Sequence, residues 1–129
     1  MAIPASILLV DDQAYVRRTL RSLLAQQKHW VIHEAAGGRA AVERARQIKP
    51  DIVVMDIVMP GMNGIEAAYE LRQVSPETKV LLISSYYTSD EARHLSRLFG
   101  DGKFVPKSET GTKLVPTINQ MLPPESQAV

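Results

Sequence analysis

Three unbroken apolar runs constrain this chain most: "ILLV" at 7–10, "IVVM" at 52–55 and "VLLI" at 80–83. A run without polar alternation suits a strand covered on both faces, as in a parallel sheet. Helical patterns separate the runs. "QAYVRRTLRSLLAQQ" places Val16, Leu20, Leu23 and Leu24 at helical spacing, with Arg17, Arg18 and Arg21 mostly opposite as a solvated face. "GGRAAVERARQIKP" reads as a helix between a glycine pair and Pro50, and "GIEAAYELRQV" as one ended by Ser75-Pro76. "TSDEARHLSRLFG" opens with Thr88 and Glu91 at capping-box spacing and closes at Gly100, the usual place for a left-handed stop. "WVIHEAA" and "KFVPK" supply two shorter strands, with Trp30 an edge anchor for the first of them. In "TKLVPTINQML", Pro116 removes a backbone donor, which predicts a short or kinked last helix.

Five strands thus alternate with five helices. With right-handed crossovers, this order predicts an α/β fold, a doubly wound five-stranded parallel sheet flanked by helices. The 129 residues make one domain, read as 1–122, with 123–129 a polar tail that leans toward the start of a linker. There is no cysteine, so there is no disulfide, thiolate metal site or catalytic thiol; this fits a reducing, cytoplasmic setting. The net charge of +1 gives no sign of nucleic-acid binding by the domain itself. "MAIPAS" lacks the features of a signal peptide, and no apolar run approaches a membrane span.

In such a sheet, ligands bind beyond the carboxyl ends of the strands. The first strand ends in Asp11-Asp12, the third in Asp56, the fourth in Ser84-Ser85 and the fifth in Lys107. Taken singly, each has a plain reading: a turn cap, a strand-end hydroxyl, a solvated lysine. Together they put three carboxylates, a hydroxyl and an ammonium on one rim. Two like charges about 4 Å apart repel by roughly 1–4 kcal/mol. A hard divalent cation relieves this, and Mg2+ suits oxygen ligands while leaving room for phosphate oxygens. A carboxylate beside such a metal can attack phosphorus, with the metal, Lys107 and the Ser84 hydroxyl each holding one oxygen of the transferred group. His29, His33 and His94 show no ligand spacing, and Met55, Met59 and Met62 read as packing.

These residues resemble the receiver domains of two-component response regulators. The likeness rests on "ILLVDDQ", "PDIVVMDIVMPGMNG", "VLLISS" and "GKFVPK", and runs over about residues 6–121. It implies the flavodoxin-like strand order 2-1-3-4-5. It implies Asp56 as phosphoacceptor, Asp12, Asp56 and the Val58 carbonyl as direct Mg2+ ligands, and Asp11 acting through water. Lys107 would contact the phosphoryl group, Ser84 would be the switch hydroxyl, and Phe104 the aromatic that turns inward with it. The donor would be the phosphohistidine of a histidine kinase, or a small phosphodonor. The α4-β5-α5 face would carry the signal to a partner, to a homodimer formed on phosphorylation, or to a transcriptional output domain. Lys107 is followed by Ser108 where receivers often have proline, and this variant resembles the LuxR-type subclass, whose DNA-binding module lies outside this chain. Residues 85 and 103 are Ser and Lys where smaller residues are common in the family.

Other functions fit less well. An aspartate-nucleophile phosphatase needs an acid two residues after the nucleophile, where Val58 stands. A flavin or nucleotide site needs glycines in the first strand-helix turn, where "VDDQAYVRR" has acids. A phosphate-independent interaction module of the same fold is the remaining alternative. Val58 and Tyr86 flank the expected path of water to Asp56, so a bulky Tyr86 is expected to slow loss of an acyl phosphate.

Overall fold

Every residue of β3, Ile52–Asp56, is buried, as the centre of a sheet covered on both faces requires. In the computed structural model, which describes residues 4–87 and 89–123, β3 lies in the middle of five parallel strands ordered β2-β1-β3-β4-β5. The others are β1 Ala5–Val10, β2 Trp30–Ala35, β4 Lys79–Ser84 and β5 Phe104–Pro106. The crossovers are α1 Ala14–Leu24, α2 Gly38–Ile48, α3 Gly64–Val74 and α4 Ser89–Phe99, and α5 Thr110–Met121 closes the fold. The predicted fold class and strand order are those observed.

Strand residues alternate between two cores. Ile7, Leu9, Ile52, Val54, Leu81 and Ile83 meet Leu20 and Leu24 of α1 and Leu114, Ile118 and Met121 of α5. Leu8, Val10, Val53, Met55, Val80 and Leu82 meet α2 and α3, with Leu95 and Phe99 of α4 packed against the same cluster. Each fully buried Leu, Ile or Val side chain contributes about 1.5–3 kcal/mol, so the two apolar layers hold the sheet rigid beneath its polar rim. The register carries that rigidity to the strand ends: Val10 sits beside both Ala35 and Met55, Asp56 beside Ile83, and Ser84 beside Pro106.

The structure corrects several local expectations. The last helix is not short: α5 has 12 residues, beginning three before Lys113, with Pro116 inside it. Pro116 leaves the Thr112 carbonyl without its helical donor, but both residues are exposed, where water can serve that oxygen. Burial of Leu114, Ile118 and Met121 offsets the proline's cost of about 3 kcal/mol. Gly100 is not in the left-handed region; Gly102 is, at φ +79°, and its N–H bonds the Ser96 carbonyl. Gly100 is instead a point of close approach, since a Cβ there would lie 3.2 Å from the Ser96 and Val80 carbonyl oxygens. Lys107 falls just past β5, in a 3-10 turn over Lys107–Glu109. Thr88 of the Thr88–Glu91 capping spacing and the tail beyond Pro123 lie outside the described residues. Among the described residues, no helix is long and apolar enough to cross a membrane.

Candidate functional site

β1 and β3 run out side by side, and the acids at their ends converge. Carboxylate oxygens of Asp11, Asp12 and Asp56 lie within 4.8 Å of one another. Asp11 and Asp56 are buried and Asp12 is exposed, so the trio opens outward through Asp12. The Lys107 ammonium reaches in from the far side of β4, 2.7 Å from Asp11 Oδ2 and 3.0 Å from Asp56 Oδ2. It donates a hydrogen bond to Asp56 and forms a shorter ion pair with Asp11. Burial pushes the Asp56 carboxyl above the usual range; Lys107 opposes this by hydrogen bond and charge without cancelling it, and the charge of Asp11 adds to the rise. Burial lowers the Lys107 affinity for its proton, but Asp11 and Asp56 together outweigh that and raise it. Lys107 is therefore firmly cationic, and one ammonium faces two buried carboxylates.

The backbone fixes the rest. Asp11 Oδ1 accepts from Gln13 N at 2.9 Å, and Asp56 Oδ1 accepts from Val58 N at 3.3 Å. Behind Asp56 the chain turns through Gly61, whose φ of +72° favours glycine, into the first turn of α3. Asn63 caps that helix: its Oδ1 accepts from Glu66 N at 2.9 Å while Glu66 Oε1 accepts from Asn63 N at 3.0 Å. Gly64 lies so near the acceptor loop that a Cβ would stand 2.3 Å from the Asp56 carbonyl oxygen. Neither the cap nor the close approach was read from the sequence, although Asn-x-x-Glu before an apolar run is the signature of such a cap.

Ser84 closes β4, and its hydroxyl is buried and accepts from Tyr86 N at 3.0 Å. Phe104 is half-buried on the side of the sheet that faces α4, packed against the α2–α3–α4 core. A cavity of about 360 Å³ stands over Asp56, lined by Asp12, Gln13, Val58, Met59, Pro60, Tyr86 and Lys107. Tyr86 is 77% exposed and Val58 41%, so both rim the opening rather than plug it.

Arg18 and Arg21 are exposed, as the solvated face predicts, but Arg17 is not: its side chain is largely covered, and both Arg17 and Arg21 are tied to β2. Arg17 donates to the Asp11 carbonyl oxygen at 2.7 Å and to Glu34 Oε1 at 3.1 Å. Arg21 donates to the Ile32 carbonyl and to Glu34 Oε2. Helical spacing shows which residues point away from the α1 core; it does not show that β2 offers Glu34 to receive them.

Oxygen donors and clustered negative charge, with no Cys or His among the three, are a donor set that could hold a hard divalent cation. Asp11 Oδ2 is buried, and its counter-charge is the Lys107 ammonium at 2.7 Å. Opposite it, an ammonium and a strand-end hydroxyl can hold the oxygens of a phosphoryl group carried on Asp56.

The chain also matches known proteins over most of its length. Residues 7–119 match the family model for the response regulator receiver domain. The chain is 34% identical over 116 residues to the chemotaxis protein CheY of Thermotoga maritima, covering 89% of this chain and 95% of that protein. It is 43% identical over 103 residues to a protein-glutamate methylesterase/protein-glutamine glutaminase of Alkalilimnicola ehrlichii, which is 78% of this chain but 26% of that protein. A two-component response regulator of the LuxR family from Aurantimonas sp. SI85-9A1 superposes with a TM-score of 0.83 at 33% identity, covering 92% of this chain and 84% of that one. A match of this extent, carrying the acidic trio and its lysine on one rim, means that the chain belongs to the receiver domains of two-component response regulators.

Proposed function

We propose that this receiver domain is a phosphorylation-dependent switch in which Asp56 takes a phosphoryl group from the phosphohistidine of a histidine kinase. One Asp56 carboxylate oxygen forms the new O–P bond as the P–N bond to the donor histidine breaks. The observation that carries this reading is the convergence of three carboxylates around Asp56 with the Lys107 ammonium 3.0 Å from Asp56 Oδ2. Asp12, Asp56 and the Val58 carbonyl would hold Mg2+, with Asp11 in the next shell. The ion would neutralise charge on the transferred group. This chain's own residues do the rest: Val58 N and Lys107 orient the carboxylate, and the ammonium binds a phosphoryl oxygen once the group arrives.

The same geometry supports a route outward. On phosphorylation the Ser84 hydroxyl turns from Tyr86 N toward the new oxygens, and Phe104, on the same side of the sheet, moves into the space vacated. The α4-β5-α5 face then changes for a partner or a second copy. Likeness to a LuxR-family regulator favours a DNA-binding output domain beyond this chain, in the cytoplasm. Mass spectrometry after incubation with magnesium and acetyl phosphate tests the acceptor. The wild type is expected to gain one acid-labile phosphoryl group and Asp56→Asn none; uptake by Asp56→Asn would refute the assignment.

A further inference from the structure

The β1 ladder ends at Val10, where strand pairing stops on both sides. The Asp11 N–H still reaches β2, bonding the Ala35 carbonyl at 3.3 Å. Among the described residues, no strand N–H donates to the Asp11 carbonyl. Its partner is a side chain: Arg17 Nη1, 2.7 Å away, from the second turn of α1. That carbonyl belongs to the peptide plane joining Asp11 to Asp12. The plane's orientation sets where the Asp12 Cα, and hence its carboxylate, points. Arg17 is itself held. Its Nε donates to Glu34 Oε1 at 3.1 Å, Glu34 Oε2 accepts from Arg21 Nη1, and the Arg17 side chain is only 17% exposed. The guanidinium fork thus ties three elements, α1, β1 and β2, at the loop that carries two of the three acids. A charge-assisted bond of this length to a partly buried carbonyl is among the stronger hydrogen bonds available.

We infer that Arg17, locked by Glu34, is a positioning residue for the cation site: it fixes the Asp11–Asp12 peptide so that the Asp12 carboxylate meets those of Asp11 and Asp56. This rests on reading the acidic trio as a divalent-cation site. Arg17 touches neither the ion nor the phosphoryl group. Its loss is expected to act through cation affinity, as loss of a ligand's supporting partner does elsewhere, by about 10-fold or more.

The test is a magnesium titration of the isotope-labelled chain, followed by the backbone amide signals of residues 11–13 and 56–58. Arg17→Met is expected to weaken magnesium binding about 10-fold or more. Arg21→Met, which removes the other Glu34 partner and the Ile32 contact but leaves Asp11 untouched, is expected to stay within about twofold of the wild type. Phosphorylation by acetyl phosphate adds a readout that general damage would not give: in Arg17→Met the half-saturating magnesium rises, and the rate at saturating magnesium recovers. An Arg17→Met affinity within about twofold of the wild type overturns the proposal, and so does an equal loss in Arg21→Met. Should Arg17→Met not fold, Arg17→Lys carries the test. One ammonium cannot reproduce the fork to both Glu34 and Asp11, so a weakened affinity is still expected, and wild-type affinity overturns the proposal. Asp12→Ala separates the two levels: if it binds magnesium like the wild type, the cation-site reading itself fails; if it loses binding while Arg17→Met does not, only the role of Arg17 fails.

Discussion

Gly64→Ala gives the sharpest physical test of how the acceptor loop is held. A Cβ at residue 64 would sit 2.3 Å from the Asp56 carbonyl oxygen, 2.8 Å from Ile57 Cα and 3.0 Å from the Asp56 carbonyl carbon. Ordinary contact begins near 3.4 Å, so the two backbones must part by about 1 Å. All three atoms are backbone, so no side-chain rotation relieves the clash. Overpacking of this kind costs typically 1–3 kcal/mol, and here the rigid partners put it at the upper end. Alanine's helix propensity returns at most about 1 kcal/mol. The net expectation is a loss of about 2 kcal/mol. Gly111→Ala is the matched control: it lies in α5 with no positive φ, and nothing stands within 4 Å of its Cβ position. It should gain about 0.4–1 kcal/mol. Urea melts of the two variants should therefore shift in opposite directions with unchanged slopes. Since the displaced atoms belong to Asp56 and Ile57, acetyl phosphate should also label Gly64→Ala more slowly than Gly111→Ala. A Gly64→Ala variant as stable as the wild type would refute the reasoning.

Two further expectations concern the rim and the edge of the sheet. Tyr86 and Val58 border the cavity over Asp56, so Tyr86→Ala should admit water more freely and shorten the life of the acyl phosphate severalfold; an unchanged dephosphorylation rate after removal of the donor would count against this. His33 titrates below its ordinary 6.5 because burial disfavours its charged form and the guanidinium groups of Arg44 and Arg21 repel a proton. The folded chain therefore binds fewer protons there than the unfolded chain, so stability is lost as pH falls from about 6.5 through the lower folded midpoint. Proton NMR of the ring should place that midpoint below 6.5 and move it upward in Arg44→Met; a wild-type midpoint at or above 6.5 would contradict the electrostatics.

Strand identity and the rim acids were legible because both obey local rules. An unbroken run such as Ile52–Met55 has only one way to bury every residue, and an aspartate at its end must then lie at an edge. α3 falls on the residues that the pattern marked, Gly64–Val74, and β4, Lys79–Ser84, holds the apolar run at 80–83. The misses depend on what sits across space. Pro116 weakens a helix by propensity, but three buried residues of α5 outweigh it. Arg17 looked solvent-facing because nothing local announces Glu34 on β2. Gly64 matched a motif, yet its reason is a carbonyl eight residues earlier that leaves no room for a methyl group.

The charge arrangement implies an order of events at the site. Lys107 now serves two acids, 2.7 Å from Asp11 Oδ2 and 3.0 Å from Asp56 Oδ2, and its own proton is held more firmly for it. One cation facing three carboxylates leaves the cluster with excess negative charge, which repels an incoming phosphoryl donor and, with burial, keeps the Asp56 proton affinity high. For Lys107 to turn to a phosphoryl oxygen, it must leave at least one buried carboxylate uncompensated, at a cost of several kcal/mol. A divalent ion held by Asp12 and Asp56 would remove that cost beforehand, since it would replace the ammonium as their counter-charge. Cation binding is therefore expected to precede productive capture of phosphorus; without a cation, the double pairing of Lys107 is what offsets the repulsion between Asp11 and Asp56.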